Sequence, residues 1–235
     1  MQRMRLRYAK RGRLRFTSHR DFSRAFERAV ARARIPMAYS SGFNPHPRIS
    51  YAGAAPTGSA SEAEYLEIAL AREVDPRAVG AALDDALPDG LDVIEVVVSC
   101  GGSLAEQLEA SSWRLTLPGV PVMDAGAAVR RFLDSEKVRV ERMTKKGMRQ
   151  FDCRTAVVSL AAHGSAGSGQ ECAILEVVLR HGTPSVRPDD VLAGLCEIAG
   201  LEAGSAPLQE RLAQGPLDEQ TGTLGDPLSR DRDAD

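Results

Sequence analysis

Strand-period and helix-period segments follow one another from Arg3 to Ser99 in the order β-α-β-β-α-β, and the same order begins again near Trp113. These two observations predict an α+β protein made of two tandem ferredoxin-like units with antiparallel sheets. A length of 235 residues with 43% hydrophobic content supplies the apolar mass that two cores need. The expected boundaries are a basic first domain over 1–100, a second over 108–213, and an acidic tail over 214–235. Few large apolar residues and much Asp, Gly and Arg predict that this tail is disordered.

Arg3 to Lys10 alternates basic with mostly apolar residues, which places Met4, Leu6 and Tyr8 on one strand face and Arg3, Arg5 and Arg7 on the other. Lys10 to Arg13 reads as a turn, and Leu14-Arg15-Phe16 as resumed strand alternation. Ser18-His19-Arg20-Asp21 has the form of a capping box and predicts a helix start. Phe22, Ala25, Phe26, Ala29, Val30 and Ala33 then form one apolar stripe, while Arg20, Arg24, Arg28 and Arg32, spaced by four, form a ridge outside it. Pro36 disfavours helical geometry at Ile35 and ends the helix. From Tyr39 to Arg48 the chain is dense in Gly, Pro and polar residues: Gly42 frees the backbone, and Pro45 and Pro47 push Asn44 and His46 into extended geometry. A stiff loop displaying Phe43, Asn44 and His46 is expected. Strands are predicted near Ile49 to Ala52, over Tyr65 to Leu70 and over Leu91 to Ser99, with a helix from Asp75 to Leu87 opened by Pro76.

The second unit reads as a strand over Trp113 to Leu117, a helix over Val122 to Leu133 and a strand over Lys137 to Met143. A long hairpin follows, from Arg149 to Leu160 and Cys172 to Leu179 with its tip at His163 to Gly169. A helix over Pro188 to Ala199 and a short strand over Leu208 to Leu212 close it. Arg142 to Arg149, containing Lys145 and Lys146, is a basic turn between strands.

Charge is the strongest functional signal. The first fifty residues hold 13 Lys and Arg against Asp21 and Glu27, a balance of +11, so with a net charge of −2 the remainder carries −13. Such a local field within a Debye length of about 8–10 Å predicts an anionic partner at the N-terminal fifth. No apolar run approaches the roughly 18 residues of a membrane span, and no apolar segment follows the basic N-terminus, so no membrane association and a cytoplasmic location are expected. Cys100, Cys153, Cys172 and Cys196 lack C-x2-C spacing, and His19, His46, His163 and His181 lack H-x3-H spacing. No metal centre and no cofactor are expected on that pattern.

Leu14-Arg15-Phe16-Thr17-Ser18-His19-Arg20-Asp21, the Arg28-Ala29 region, Tyr39-Ser40-Ser41-Gly42-Phe43-Asn44-Pro45-His46-Pro47, Ser61-Glu62-Ala63-Glu64-Tyr65-Leu66, and Thr144-Lys145-Lys146-Gly147 with Asp152 together carry a resemblance. By these residues the chain resembles the radical-SAM-linked proteins, a family without assigned activity that occurs free-standing or as the C-terminal part of larger radical SAM proteins. The resemblance spans roughly residues 1 to 200 and implies a radical SAM protein as partner. It transfers no catalytic residue. The C-x3-C-x2-C motif that holds the iron-sulfur cluster of radical SAM enzymes is absent, so this chain is not itself expected to be one. Tandem ferredoxin-like units with a histidine near the first helix and a basic turn in the second half are also similar to RNA-binding and RNA-processing proteins of CRISPR systems, at the level of fold alone.

The leading expectation is a non-catalytic RNA-binding module or accessory subunit that acts with a radical SAM enzyme. Its candidate contacts are Arg5, Arg7, Arg15, His19, Arg20, Arg24, Arg28, Phe43, Asn44, His46, Arg48, Lys145, Lys146 and Arg149, with cations for phosphates and Phe43, Tyr39 or Tyr51 for stacking. One alternative is a metal-independent RNA-processing enzyme using His19 and His46, whose ordinary pKa near 6.5 suits acid and base roles. Another is an adaptor whose basic face meets an acidic protein surface.

Overall fold

The computed structural model describes residues 1–144, 147–164, 172–204 and 206–233. The protein is a mixed α/β chain whose strands pair antiparallel, and it divides into two compact units, Met1–Leu108 with Asp226–Asp235, and Glu109–Gly225.

In the first unit the elements are β1 (Gln2–Lys10), α1 (His19–Arg32), β2 (Ile49–Ala52), β3 (Ala60–Leu70), α2 (Pro76–Ala86), β4 (Val93–Val98) and the short α3 (Leu104–Gln107). Within this unit the strands lie in the order β4-β1-β3-β2, with Leu6 opposite both Leu66 and Val96. Met4, Leu6 and Tyr8 share a core with Phe22, Phe26, Ala29 and Val30 of α1 and Val79 and Leu83 of α2. Tyr8 stacks on Phe22 with centroids 4.5 Å apart. The predicted cap is present in altered form: the Ser18 hydroxyl accepts from the Asp21 N–H (3.2 Å) and donates to the Asp21 carboxylate (2.7 Å). At the other end Ile35 N–H reaches the Val30 carbonyl and Arg34 N–H the Ala31 carbonyl, the pattern of a Schellman cap. Arg34 takes the left-handed position with φ +53, where glycine is usual. Gly12–Phe16 is a 3-10 turn, not resumed strand, because β1 ends where Lys10 turns inward.

The second unit contains β5 (Ala110–Pro118), α4 (Val122–Asp134), β6 (Arg139–Thr144), β7 (Gly147–Asp152), β8 (Val157–Gly164), β9 (Cys172–Arg180), α5 (Pro188–Ala199) and β10 (Leu208–Gly215). Here the sheet order is β10-β5-β9-β8. One expectation is corrected: Lys137 to Met143 is not a strand of this sheet, and Arg149 to Leu160 is not one strand. Residues of β6 and β7 form a separate two-stranded ribbon, and β8 pairs with β9 instead. The break has a visible cause. The Asp152 carboxylate accepts from the Val138 and Arg154 amides (2.9 and 3.0 Å), which closes the ribbon's base and starts a 3-10 turn at Arg154–Ala156. α5 packs against this base through Gly194, where a Cβ would sit 2.8 Å from Val138 and 2.9 Å from Phe132. Burial, followed by the charges of Asp152 and Asp190, pushes the Cys153 thiol up to about 12. The tip expected at His163 to Gly169 lies mostly outside the described residues.

The segment beyond Gly215, expected to be disordered, is ordered where it is described. Leu217 bridges Leu224 around a turn held by Asp218, and α6 (Ser229–Arg232) follows. Leu228 is fully buried among Ala52, Ala63, Tyr65, Val97, Leu104 and Leu108, on the face of the first unit's sheet opposite α1. Asp231 meets Arg5 there, both side chains 0% exposed. Arg5 uses every donor it has: Nη1 to both Asp231 oxygens (3.1 and 3.0 Å), Nη2 to the Gly101 and Gly102 carbonyls (2.8 and 2.9 Å) and Nε to Glu67 (3.1 Å). Asp231 also accepts from the Cys100 amide at 2.9 Å, and Arg232 pairs with Glu95 and Asp226. Composition argued for disorder because it counts apolar residues and is blind to a polar partner supplied more than two hundred positions away.

Leaving the Arg5 guanidinium buried without its partner costs about 3–5 kcal/mol. Asp231→Ala therefore lowers the unfolding free energy in urea by about that amount, while Arg5→Met with Asp231→Leu recovers most of it. A loss below about 1 kcal/mol for Asp231→Ala would mean that the C-terminal segment is not docked in solution.

Candidate functional site

Helix α1 sets the stage. Its buried stripe fixes the rotation of the helix, and the ridge of Arg20, Arg24 and Arg28 is thereby turned to solvent. Among the described residues the guanidinium groups of these three make no hydrogen bond or ion pair, not even with Glu27 on the same helix. Arg32, the fourth of the ridge, is spent otherwise: its guanidinium donates to the Ala86 carbonyl at the end of α2 (3.2 Å).

The other cations of the first fifty residues divide sharply. Arg5 is core, which corrects its assignment as a surface contact: β1 is buried on both faces, so its outward register is not outward. Arg7 donates to the Glu62 carbonyl (2.8 Å) and Lys10 to the Pro56 carbonyl (3.3 Å). Arg11 is held between Glu62 (2.5 Å) and Asp92 (2.7 Å). Arg3 lies 3.5 Å from Glu67. Arg13 and Arg34 are exposed, and Arg15 lies half-buried over the ring of Phe16, 4.7 Å from its centroid. Phe16 itself is 59% exposed, a surface aromatic hidden in sequence by its place in an apparent strand.

The segment from Met37 to Arg48 is a hairpin-like finger. Met37 is buried and bridges Leu70, and the Ala38 N–H donates to the Ala69 carbonyl (2.8 Å), which anchors the foot to β3. Tyr39 bridges Pro47; the Ser40 N–H donates to the His46 carbonyl (2.9 Å), the His46 N–H to the Ser40 hydroxyl (3.0 Å) and the Arg48 N–H to the Ala38 carbonyl (2.9 Å). Phe43 at the tip is completely exposed, and Asn44, His46 and Arg48 are exposed beside it. A cleft of about 340 Å³ at the foot is lined by Met1, Arg3, Ser40, His46, Arg48 and Glu67.

Tyr51 faces the other way. Its ring packs against Phe22 and meets His19 edge-on with centroids 4.9 Å apart, so part of it is spent on the fold and His19 has an aromatic wall. Among the described residues the buried Tyr51 hydroxyl has no hydrogen-bond partner. Burial raises its pKa; the nearby Ser23 hydroxyl opposes this and the Glu27 charge adds to it. Ser23 is directed to the His19 carbonyl (2.9 Å) and does not satisfy the phenol. Among the described residues no hydrogen bond or ring contact joins His19, which meets Tyr51, to His46, whose backbone is tied to Ser40.

In the second unit Arg149 is exposed on the ribbon opposite Arg142, which is drawn off to Asp190 (2.5 Å) and the Ser185 carbonyl (3.0 Å). Lys145 and Lys146 lie outside the described residues. Met143 and Met148 face each other across the ribbon, 69% and 56% exposed. Among the described residues no group of three His, Cys, Asp or Glu is placed to hold a metal ion, and no helix is long and apolar enough to cross a membrane.

The fold and these groups define a two-unit antiparallel α/β protein that exposes an unpaired arginine ridge and an aromatic finger on its first unit. Over residues 3–188 the sequence matches the family described as "Uncharacterized protein conserved in bacteria (DUF2344)", and the chain belongs to that family. Comparison with curated protein sequences finds no match. Among solved structures, one described as an unknown protein from Galdieria sulphuraria aligns at 14% identity over 89% of this chain and 98% of its own, with a TM-score of 0.25, too low to carry an argument.

The orphaned phenol gives a direct check. Tyr51→Phe removes a buried, unpaired hydroxyl and leaves stability unchanged or raises it by about 1 kcal/mol in urea unfolding; a loss of about 1 kcal/mol or more would reveal a hydrogen bond. Because the folded pKa is raised, the unfolded phenol ionises first. Wild-type stability therefore drops as pH rises from the ordinary value of 10.0 through the folded value, and Tyr51→Phe lacks that component.

Proposed function

We propose that this protein is a non-catalytic RNA-binding module, or accessory subunit, that acts in the cytoplasm with a radical SAM enzyme on an RNA substrate. The observation that carries the reading is the ridge of Arg20, Arg24 and Arg28: three exposed guanidinium groups, one helical turn apart, without an acidic partner among the described residues. On β1 and just after it the chain engages its cations with carboxylates or carbonyls, as at Arg5, Arg7 and Arg11. Leaving these three open is what a phosphate-contacting surface needs, since neutralised cations release no counterions from a nucleic acid. The link to a radical SAM enzyme rests on the Ser41-Gly42-Phe43-Asn44-Pro45-His46-Pro47 loop and the other residues of that resemblance.

The same reading takes both units as ferredoxin-like. What supports it is connectivity: counting each unit's sheet strands in chain order, both have the order 4-1-3-2 with helices after the first and third, and the β6–β7 ribbon is an insertion in the second.

The test is an RNA-binding titration against salt. Arg20→Glu with Arg24→Glu and Arg28→Glu weakens binding by about tenfold or more at 0.1 M salt and lowers the slope of log affinity against log salt by about 2, from roughly 0.7 per lost phosphate contact. Equal binding by the variant sinks the RNA reading. A radical SAM partner that survives nuclease treatment in wild-type pull-downs but is lost with the triple variant, RNA binding unchanged, would establish the adaptor instead.

A further inference from the structure

Resting on the RNA reading above, we infer that the ligand is single-stranded RNA, and that Phe43 is the residue on which an unpaired base stacks. The finger carries a whole phenylalanine ring into water: Phe43 is as exposed as an isolated residue. Such a ring has apolar area on the order of 150–250 Å² to bury. The segment that bears it is not a loose loop. Two backbone hydrogen bonds, the Ser40 side chain and the Tyr39–Pro47 bridge clamp it, Pro45 and Pro47 restrict its backbone, and its foot is tied to β3 through Met37 and Ala38. Little conformational freedom is left to lose on binding, which is how a recognition element differs from a mobile turn.

The chemistry around the ring selects the occupant. Ser41, Gly42, Asn44 and His46 lie on either side of Phe43 in the chain, with the exposed Pro45 between the last two, so polar groups flank the ring. A nucleobase matches it: a flat face for the ring, and polar edges for the Asn44 amide and the His46 imidazole. At the foot, Arg48 lines the cleft beside His46, which places a cation on the same segment as the stacking group. An A-form duplex hides its base faces within the stack and keeps side chains out of its deep groove, so only an unpaired base can use Phe43. The arginine ridge alone would not discriminate, because phosphates are common to both forms.

Fluorescence anisotropy with a labelled single-stranded oligonucleotide of about 12 nucleotides, within the usual site size, and with its blunt duplex of equal length tests this. Wild type binds the single strand at least tenfold more tightly than the duplex. Phe43→Ala, at a surface position where folding is unaffected by circular dichroism, weakens single-strand binding roughly 5- to 100-fold, the range of one lost stacking contact, and leaves duplex binding alone. Phe43→Trp keeps the affinity, and its added emission is quenched by the single strand. If Phe43→Ala stays within twofold of wild type while the triple arginine variant loses binding, RNA binding stands and the stacking inference is overturned. If wild type binds neither form, both fall. If Phe43→Ala instead abolishes capture of a protein with RNA binding unchanged, the finger is a protein contact.

Discussion

A single buried ion pair governs the first unit. Arg5 sits mid-strand in β1, flanked by Met4 and Leu6, and its guanidinium is removed from water entirely. Desolvating it is tolerable only because Asp231, Glu67 and two carbonyls saturate all its donors. That requirement brings the chain's last helix back onto its first strand, covers the second face of the sheet with Leu228, and orders the turn at Cys100 to Gly102 that supplies the carbonyls. With both faces of β1 and β3 occupied, α1 is left as the face that presents charge.

The consequence is a sorting of cations that net charge does not describe. A window of fifty residues with +11 looks uniformly basic, yet Glu62, Glu67, Asp92 and Asp231 return from far along the chain to take Arg3, Arg5, Arg7 and Arg11 out of play, by side chain or by backbone. What survives as surface field is narrower and better defined: Arg20, Arg24 and Arg28 on α1, Arg13 and Arg34 before and after it in the chain, and Arg48 at the foot of the finger. The finger stands out on the same criterion, since Phe43 spends no contact on the fold that carries it.

How much of this was readable beforehand follows from the range of each interaction. The helices were legible because their signals are local: Ser18 and Asp21 three apart, Phe22, Phe26, Ala29 and Val30 on one stripe, Pro76 at a first turn. The stiff loop around Phe43 was legible for the same reason. Arg5 was misplaced because strand alternation says which residues share a face, not whether that face meets water. The packing of Tyr51 on Phe22 and His19 is not legible in the sequence because those partners come from another element. The ordering of the C-terminal segment rests on a contact between positions 5 and 231 and could be found only in three dimensions.

The central claim is that the first unit meets RNA through α1 and the finger. Ultraviolet cross-linking of the protein in its native cellular context, followed by mass spectrometry of RNA-adducted peptides, addresses it most directly. The account predicts adducts on peptides spanning His19–Arg34 and Tyr39–Arg48, with Phe43 as a cross-linked residue. Absence of any adduct, or adducts confined to other parts of the chain, would contradict it.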